Sequence, residues 1–264
     1  MQVKETMDAK HPSIFMSEPA TKARAVMRDF SLRLLPIINA DKKLQGIVTR
    51  HEIMTISSAI SPILVKGIMT QPRQTATANE EALAVVKNMV RLEWYIPIIE
   101  AAQDKTYRGV LGLQNFMDAV IRTSPEKLAK IDVPVSEVMT RNVIAVTIDD
   151  QIDNIWRLMQ EKNIAGFPVV KKDNRVVGVV SQKDLLDSGQ VFPRFESRKG
   201  QYRTPAKVMS VMQPNVVTVK PVASAAKVAK VMVSKDIGRV PVVDRDGRLL
   251  GIVDREDIVK RMIR

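Results

Sequence analysis

The sequence writes one short pattern four times. In each copy, an apolar run of β-branched residues contains a proline, a polar turn follows, and a second apolar run contains a glycine. The prolines are Pro36, Pro97, Pro168 and Pro241, so successive copies lie 61, 71 and 73 residues apart. Self-similarity at a nearly fixed period predicts tandem copies of one supersecondary unit.

The third copy, residues 164–186, shows the unit most clearly. β-branched runs bounded by turn residues predict strands at 167–170 and 176–180, joined by a polar turn at 171–174. A helix is expected to begin at Ser181. Before the hairpin, Ile152, Ile155, Trp156 and Met159 fall on one face of a second helix. We assign that face to the core, since such stripes are usually buried.

The four copies divide the chain into repeats, which are numbered one to four below. Their predicted bounds are 1–60, 61–123, 135–188 and 205–264, with a linker at 124–134 and a basic loop at 189–204. Each repeat opens on a related segment that ends in methionine; these segments are 3–7, 65–69, 135–139 and 205–209. The basic loop mixes arginines with Phe192, Phe195 and Tyr202, so single-stranded nucleic acid is an alternative partner. Nothing else in the chain resembles a nucleic-acid-binding motif.

Composition excludes several classes of function. The 264 residues include no cysteine and two histidines, which rules out disulfides, thiol nucleophiles and thiolate metal sites. We therefore expect no metal requirement. No apolar run approaches the roughly 20 residues that span a bilayer, and the start lacks a signal-peptide core, so a cytoplasmic protein without membrane contact is expected. The net charge of +12 favours anionic partners.

The repeated unit resembles the CBS (cystathionine-β-synthase) domain. The resemblance is carried by the Gly-x-Pro strand, the Gly-Val-Val strand and the Ser-x-x-Asp helix start, closely in repeats three and four and loosely in repeat two. It implies an α+β (mixed α/β) fold of four repeats, each a three-stranded sheet with two helices. The repeats would pair as one with two and three with four, into two pseudo-two-fold (Bateman) modules that form a flat disc. The implied protein is stand-alone, of an archaeal type, and similar to the γ subunit of AMP-activated protein kinase.

The resemblance also implies ligand clefts between paired repeats. There the Asp of Ser-x-x-Asp binds the ribose hydroxyls, the Ser lies near phosphate, and the paired repeat supplies an adenine slot. A carboxylate can accept two bonds from a cis-diol, and a helix N-terminus with cations favours phosphate. The best predicted site comprises Ser181, Lys183, Asp184, Met212, Val217, Ile237, Gly238, Arg239 and Pro241. Arg239 matches a phosphate-facing arginine of the kinase subunit.

Two further sites are weaker matches. The second comprises Met139, Ile144, Ile164, Ala165, Gly166, Pro168, Asp254, Arg255 and Asp257. Asp254 replaces the hydroxyl and would repel phosphate unless Arg255 offsets it, so this site suits a nucleoside or a sulfonium ligand, or none. The third comprises Arg33, Thr49, Arg50, His51 and Glu52, where glutamate is long for ribose. Repeat two, with Gly112 in place of the hydroxyl and bulky Trp94 and Tyr95 nearby, is predicted to be degenerate.

The Ser-x-x-Asp pattern has a second explanation. It is also a capping box, which any helix start favours, and Thr49 with Glu52 fits the box better than the ribose pattern. For Ser181 and Asp184, the fourfold repeat and Arg239 favour ligand binding instead.

The expected function is a non-catalytic sensor of AMP, with ADP or ATP as alternatives, that transmits ligand state to an unknown effector protein. No Walker loop, Gly-x-Gly-x-x-Gly motif or Cys–His dyad indicates an enzyme. A homodimer through the modules is expected. The alternatives are a sensor of an S-adenosylmethionine-type ligand, and a scaffold for nucleic acid or protein that binds no small ligand.

Overall fold

Four copies of a strand–helix–hairpin–helix unit make up the protein. A computed structural model describes residues 1–56, 61–189 and 206–264. Repeat one contains β1 (Ile14–Phe15), α1 (Ala20–Asp29), β2 (Leu34–Ile38), β3 (Leu44–Thr49) and α2 (Arg50–Ile53). Repeat two contains β4 (Ala76–Thr77), α3 (Ala82–Leu92), β5 (Tyr95–Ile99), β6 (Tyr107–Gly112) and α4 (Leu113–Thr123), and α5 (Pro125–Lys130) follows it.

The second half of the chain repeats this order. Repeat three contains β7 (Val146–Thr147), α6 (Ile152–Lys162), β8 (Gly166–Val170), β9 (Val176–Ser181) and α7 (Gln182–Ser188). Repeat four contains β10 (Gln213–Pro214), α8 (Ala225–Ser234), β11 (Arg239–Val243), β12 (Leu249–Asp254) and α9 (Arg255–Met262). The predicted hairpin and helix start of repeat three are thus confirmed, and the mixed α/β architecture of small sheets with helices is confirmed as well.

Each sheet is built on an antiparallel hairpin. In repeats one to three a two-residue strand pairs in parallel with the hairpin's first strand, and in repeat four a single bridge from Val219 to Val242 takes that place. The prolines sit inside the first strands, as Pro168 does opposite Val179. In all four hairpins the register shifts near the end of the first strand, which is a β-bulge next to the turn.

The opening segments are exchanged within each pair of repeats. Each begins with a short 3-10 turn; the four turns are Val3–Glu5, Val65–Gly67, Val135–Glu137 and Val208–Ser210. The N–H of Val65 donates to the carbonyl of Glu18 in repeat one at 2.8 Å, and that of Val208 donates to Asp150 in repeat three at 2.8 Å. Repeat one therefore pairs with repeat two, and repeat three with repeat four.

Some sequence boundaries differ from the observed elements. The predicted linker at 124–134 contains α5, and the opening turn of repeat four begins at Val208 rather than at residue 205. Except for Gly189, the predicted basic loop lies outside the described residues. Within the described ranges, no helix is both long and apolar enough to cross a membrane.

Two apolar clusters join the modules, and each contains helices from both. The first cluster unites repeats two and four, with Phe116 and Met232 fully buried in it. The second unites repeats one and three, with Met27 and Phe167 as buried members. The hairpins of paired repeats face each other within a module, while the helices pack between modules. In this packing α2 and α7, which come from different modules, contact each other.

Candidate functional site

The start of α7 carries the hydroxyl and carboxylate expected for the best site. Asp184 is only 7% exposed. Its Oδ2 accepts hydrogen bonds from the backbone N of Ser181 at 2.8 Å and from the Ser181 hydroxyl at 2.6 Å. These contacts form the capping box. The cap leaves Oδ1 of Asp184 facing away from its own helix, so the capping and ligand-binding interpretations are compatible.

A residue that the sequence did not single out contacts this carboxylate. Nε2 of Gln213, from β10 of repeat four, donates to Oδ1 of Asp184 at 2.8 Å. Gln213 follows Met212, whose Sδ lies 2.9 Å from the point that a Cβ on Gly178 would occupy. The position of Gln213 relative to Asp184 depends on how two repeats pair, so no local pattern in the chain could have indicated it.

Arg239 lies where the sequence placed it, beside the start of α7. Its Nη1 is 2.9 Å from the point that a Cβ on Gly166 would occupy, and the Cα of Ser181 is 3.1 Å from the same point. The guanidinium is 5.7 Å from the centre of the Trp94 ring. Burial lowers the pKa of Arg239 to about 10, and the nearby Asp254 carboxylate partly opposes that change. The side chain of Arg239 makes no hydrogen bond or ion pair with the described residues.

A second arginine approaches from the other module. Arg33 of repeat one lies 5.8 Å from the centre of the Tyr95 ring and 3.1 Å from the point that a Cβ on Gly238 would occupy. Like Arg239, it makes no hydrogen bond or ion pair within the described part of the chain. The positive charge of Arg33 contributes to the lowered pKa of Arg239. Two half-buried guanidinium groups thus converge without an anionic partner in contact.

Two other arginines in the predicted sites, Arg50 and Arg255, bind acceptors within the protein. Arg50 donates to the carbonyls of Leu32 at 2.9 Å and Ser31 at 2.7 Å, within its own repeat. Arg255, 1% exposed, donates from Nη2 to Asp236 at 2.7 Å and from Nη1 to the Tyr95 hydroxyl at 3.2 Å. Because these guanidinium groups already have acceptors, the structure does not bring them to a position that could bind phosphate.

The start of α9 presents two adjacent carboxylates. The backbone N of Asp254 donates to Asp257 at 3.0 Å, and the backbone N of Asp257 donates to Asp254 at 3.0 Å. Burial and the negative charge of Asp254 raise the pKa of Asp257 to about 7. Burial also raises the pKa of Asp254. This arrangement is electrostatically unfavourable for an incoming phosphate.

The residues predicted to line the adenine slots divide between the two apolar clusters. Val217, Ile237 and Met139 pack against the first apolar cluster, whereas Ile144, Ile164 and Met212 pack against the second. Met139 covers Gly251 of β12, as Met212 covers Gly178 of β9. Each methionine therefore lies over the hairpin of the repeat with which its own repeat is paired.

The remaining members of the predicted sites have mainly structural contacts. Pro168 and Pro241 are buried inside strands, and the carbonyl of Ala165 accepts a hydrogen bond from the backbone N of Gln182 at 3.0 Å. Lys183 forms an ion pair with Asp187. A free cation beside Ser181 is therefore supplied by Arg239 rather than by Lys183.

In repeat one, Thr49 and Glu52 form a capping box. The backbone N and the hydroxyl of Thr49 donate to Glu52 at 2.7 and 2.6 Å. A cavity of about 470 Å³ opens beside Thr49 and His51, and Arg33, Trp94 and Ala165 also line it. The cavity thus receives residues from three repeats, and Glu256 adds a fourth.

In repeat two, Gly112 stands where repeat three has Ser181, and the ring of Tyr95 fills the space beside it. The Cε1 atom of Tyr95 lies 2.5 Å from the point that a Cβ on Gly112 would occupy. The ring leaves no room there for the serine or threonine side chain that repeats three and one carry. Tyr95 therefore supports the prediction that repeat two is degenerate.

A known protein family matches three of the four repeats. The family model of the CBS domain matches residues 3–59, 135–190 and 208–264. This chain belongs to the CBS domain family. The family model does not match repeat two, although this repeat has the same order of strands and helices as the other CBS repeats.

Two relatives match this chain over nearly the whole length of both proteins. An uncharacterized protein of Methanocaldococcus jannaschii, MJ1225, is 26% identical over 98% of this chain and 97% of its own. The crystal structure of MJ1225, described as a proposed archaeal homologue of g-AMPK, superimposes with a TM-score of 0.81 over 98% of this chain and 99% of the other, at 22% identity. A conserved protein of Pyrococcus horikoshii gives a TM-score of 0.66 at 21% identity, covering 99% and 100% of the two chains.

Proposed function

We propose that this CBS protein is a regulatory sensor of adenine nucleotides. AMP, or ADP or ATP, would bind in the cleft of repeats three and four, with its ribose on Asp184 and its phosphate toward Arg239. The bound state would then be transmitted to a separate effector protein. The role is non-catalytic.

The observation that carries this proposal is the pair of unpartnered arginines, Arg33 and Arg239. A half-buried guanidinium without an acceptor is costly, because burial removes water that would otherwise solvate the charge. Each arginine is held over an aromatic ring, which leaves the edge of the guanidinium free for an anion. Phosphate accepts bidentate hydrogen bonds from arginine, so a phosphate group suits the exposed edge of each guanidinium.

The same pair suggests how ligand state changes the protein. Arg33 belongs to one module and Arg239 to the other, so a phosphate between them favours the arrangement in which the modules are close. A ligand shifts a conformational equilibrium only by its difference in affinity for the two states. Trp94 and Glu256 already connect the modules, through a hydrogen bond of 2.8 Å from the indole N–H to the carboxylate.

Titration calorimetry with AMP and adenosine tests the proposal. We expect AMP to bind more tightly than adenosine, since only AMP offers a phosphate to the arginines. The Asp184→Ala variant should lose affinity for both ligands, because both carry the ribose diol. Asp246, exposed on the turn of repeat four, provides a matched control, and Asp246→Ala should leave both affinities unchanged. Binding of neither ligand would refute the proposal, and equal affinities would refute the role of the arginines.

A second experiment needs no choice of ligand. Mass spectrometry on the denatured, freshly purified protein would identify any nucleotide that is carried through purification. Near-stoichiometric adenine nucleotide would support the sensor and would argue against a scaffold that binds no small molecule.

The paired carboxylates favour a different ligand for the second cleft. Asp254 and Asp257 repel phosphate but attract a cation, so we infer that this cleft prefers a nucleoside or a sulfonium such as S-adenosylmethionine. Asp254→Ser would give repeat four the hydroxyl that Ser181 supplies in repeat three. That variant should gain affinity for AMP in a second calorimetric site, while the wild type should bind S-adenosylmethionine there.

A further inference from the structure

The carboxylate of Asp184 has one oxygen that its own helix does not satisfy. Oδ2 already accepts two hydrogen bonds from Ser181. Oδ1 accepts a single one, from Nε2 of Gln213 at 2.8 Å. A carboxylate oxygen has two lone pairs to offer, so Oδ2 is filled and the two hydroxyls of a ribose diol would need both lone pairs of Oδ1. Gln213 already uses one of these lone pairs, so Gln213 and the second hydroxyl compete for it.

Within the described residues, this contact occurs in one cleft. Gln213 is the first residue of β10 and lies opposite Val179 of β9. Thr70 and Thr140 follow the opening methionines of repeats two and three, and each lies opposite the corresponding hairpin strand of its paired repeat. A threonine side chain is two bonds shorter than glutamine and forms no such contact in either place. The length of Gln213 is what lets it reach a carboxylate on the neighbouring repeat.

We propose that Gln213 sets the affinity of the Asp184 cleft by occupying Oδ1 until a ribose-containing ligand displaces it. The inference rests on the proposed function, since it assumes that the cleft takes such a ligand. Gln213 is exposed, so its displaced amide is solvated by water at small cost.

The test replaces Gln213 by threonine, which repeats two and three carry at the equivalent positions Thr70 and Thr140. Gln213→Thr removes the competing amide and introduces a β-branched residue that suits a strand. Because a hydrogen bond contributes net about 1 kcal/mol, and tenfold in an equilibrium constant corresponds to about 1.4 kcal/mol, AMP should bind Gln213→Thr about three- to tenfold more tightly. Gln71 is a matched control, as an exposed glutamine that donates to a carbonyl of Gln45 at 2.8 Å. Gln71→Ala should leave the affinity unchanged.

The outcomes separate this inference from the proposed function. If Gln213→Thr binds AMP with unchanged affinity, Gln213 does not compete with the ligand, but the proposed function as a nucleotide sensor is unaffected. Weaker binding also overturns it, and would show instead that Gln213 positions the carboxylate or contacts the ligand. If AMP binds neither wild type nor Gln213→Thr, the proposed function fails and the competition fails with it.

A ligand-free measurement tests the contact itself. In a double-mutant cycle of Gln213→Thr and Asp184→Ala, the changes in the free energy of unfolding should be non-additive, because both residues share one hydrogen bond. Additive changes would overturn the contact on which the competition depends.

Discussion

Arg33 of repeat one lies directly against Gly238 of repeat four. Two terminal nitrogens of the guanidinium, Nη2 and Nη1, are 3.1 and 3.2 Å from the point that a Cβ on Gly238 would occupy. These residues come from different modules, so the contact is made across the centre of the protein. The absence of a side chain at residue 238 is what lets Arg33 approach Arg239.

The first prediction concerns Gly238→Ala. The added methyl group should push the flexible end of Arg33 away by a few tenths of an ångström and separate it from Arg239. Affinity for AMP should then fall several-fold, while affinity for adenosine stays the same. The free energy of unfolding should change by less than about 1 kcal/mol, since only the end of a side chain moves. Calorimetry and urea unfolding measure the two effects, and a large loss of stability would contradict this explanation.

The second prediction concerns the chemistry of Arg239. Lysine keeps the charge but loses the planar fork that binds phosphate through two bonds. Arg239→Lys should therefore weaken AMP binding by about tenfold, the usual effect of one charge-assisted hydrogen bond. Arg157 on α6 is a control, because its side chain is exposed to solvent. Arg157→Lys should bind AMP as wild type does, and an equal loss in both variants would point to a non-specific effect of charge geometry.

The third prediction concerns pH and Asp257. The pKa of this acid is raised to about 7 in the fold, against a value of about 4 in an unfolded chain. The folded protein therefore holds the proton more tightly than the unfolded chain does. Its contribution to stability is fully present below pH about 4 and is lost as pH rises to about 7.

Asp257→Asn should remove that dependence. The amide oxygen of asparagine can still accept the hydrogen bond from the backbone N of Asp254, so the helix cap survives. The free energy of unfolding should become flatter between pH 4 and 7, as measured by urea unfolding across that range. A control variant, Asp246→Asn, changes an exposed carboxylate and should retain the wild-type slope. The same slope in Asp257→Asn would show that Asp257 does not hold a proton in the fold.

The fourth prediction concerns the degenerate repeat. A serine at residue 112 would collide with the rigid ring of Tyr95, whose Cε1 and Cδ1 lie 2.5 and 2.7 Å from the added Cβ. Gly112→Ser should lower the free energy of unfolding by about 1–3 kcal/mol, as overpacking usually does. Gly67→Ala is a control, since its Cβ would meet only Ile63 at an ordinary 3.6 Å.

A second variant distinguishes the collision from a backbone effect. In a Tyr95→Ala background the ring is absent, so Gly112→Ser should cost much less than in the wild type. An equal cost in both backgrounds would show that residue 112 requires glycine for a reason other than the ring of Tyr95.

The local unit of the fold is determined by the sequence. Short β-branched runs, a polar turn and a Ser-x-x-Asp pattern predicted β8, β9 and the start of α7 nearly to the residue. These elements follow from the conformational preferences and solvent exposure of neighbouring residues, so a single segment contains the information. Ser181 and Asp184 could be found in this way, because both are part of one helix start.

The contacts between repeats were decided only by the tertiary structure. Arg33 was predicted as part of a weaker, separate site, yet packing of helices between modules brings it to Arg239. Arg50 and Arg255 had equally suitable charges, but nearby acceptors hold them in other directions. Gln213 carries no local signal at all. Four similar units encode the same local pattern, and only their packing against one another determines which side chains meet.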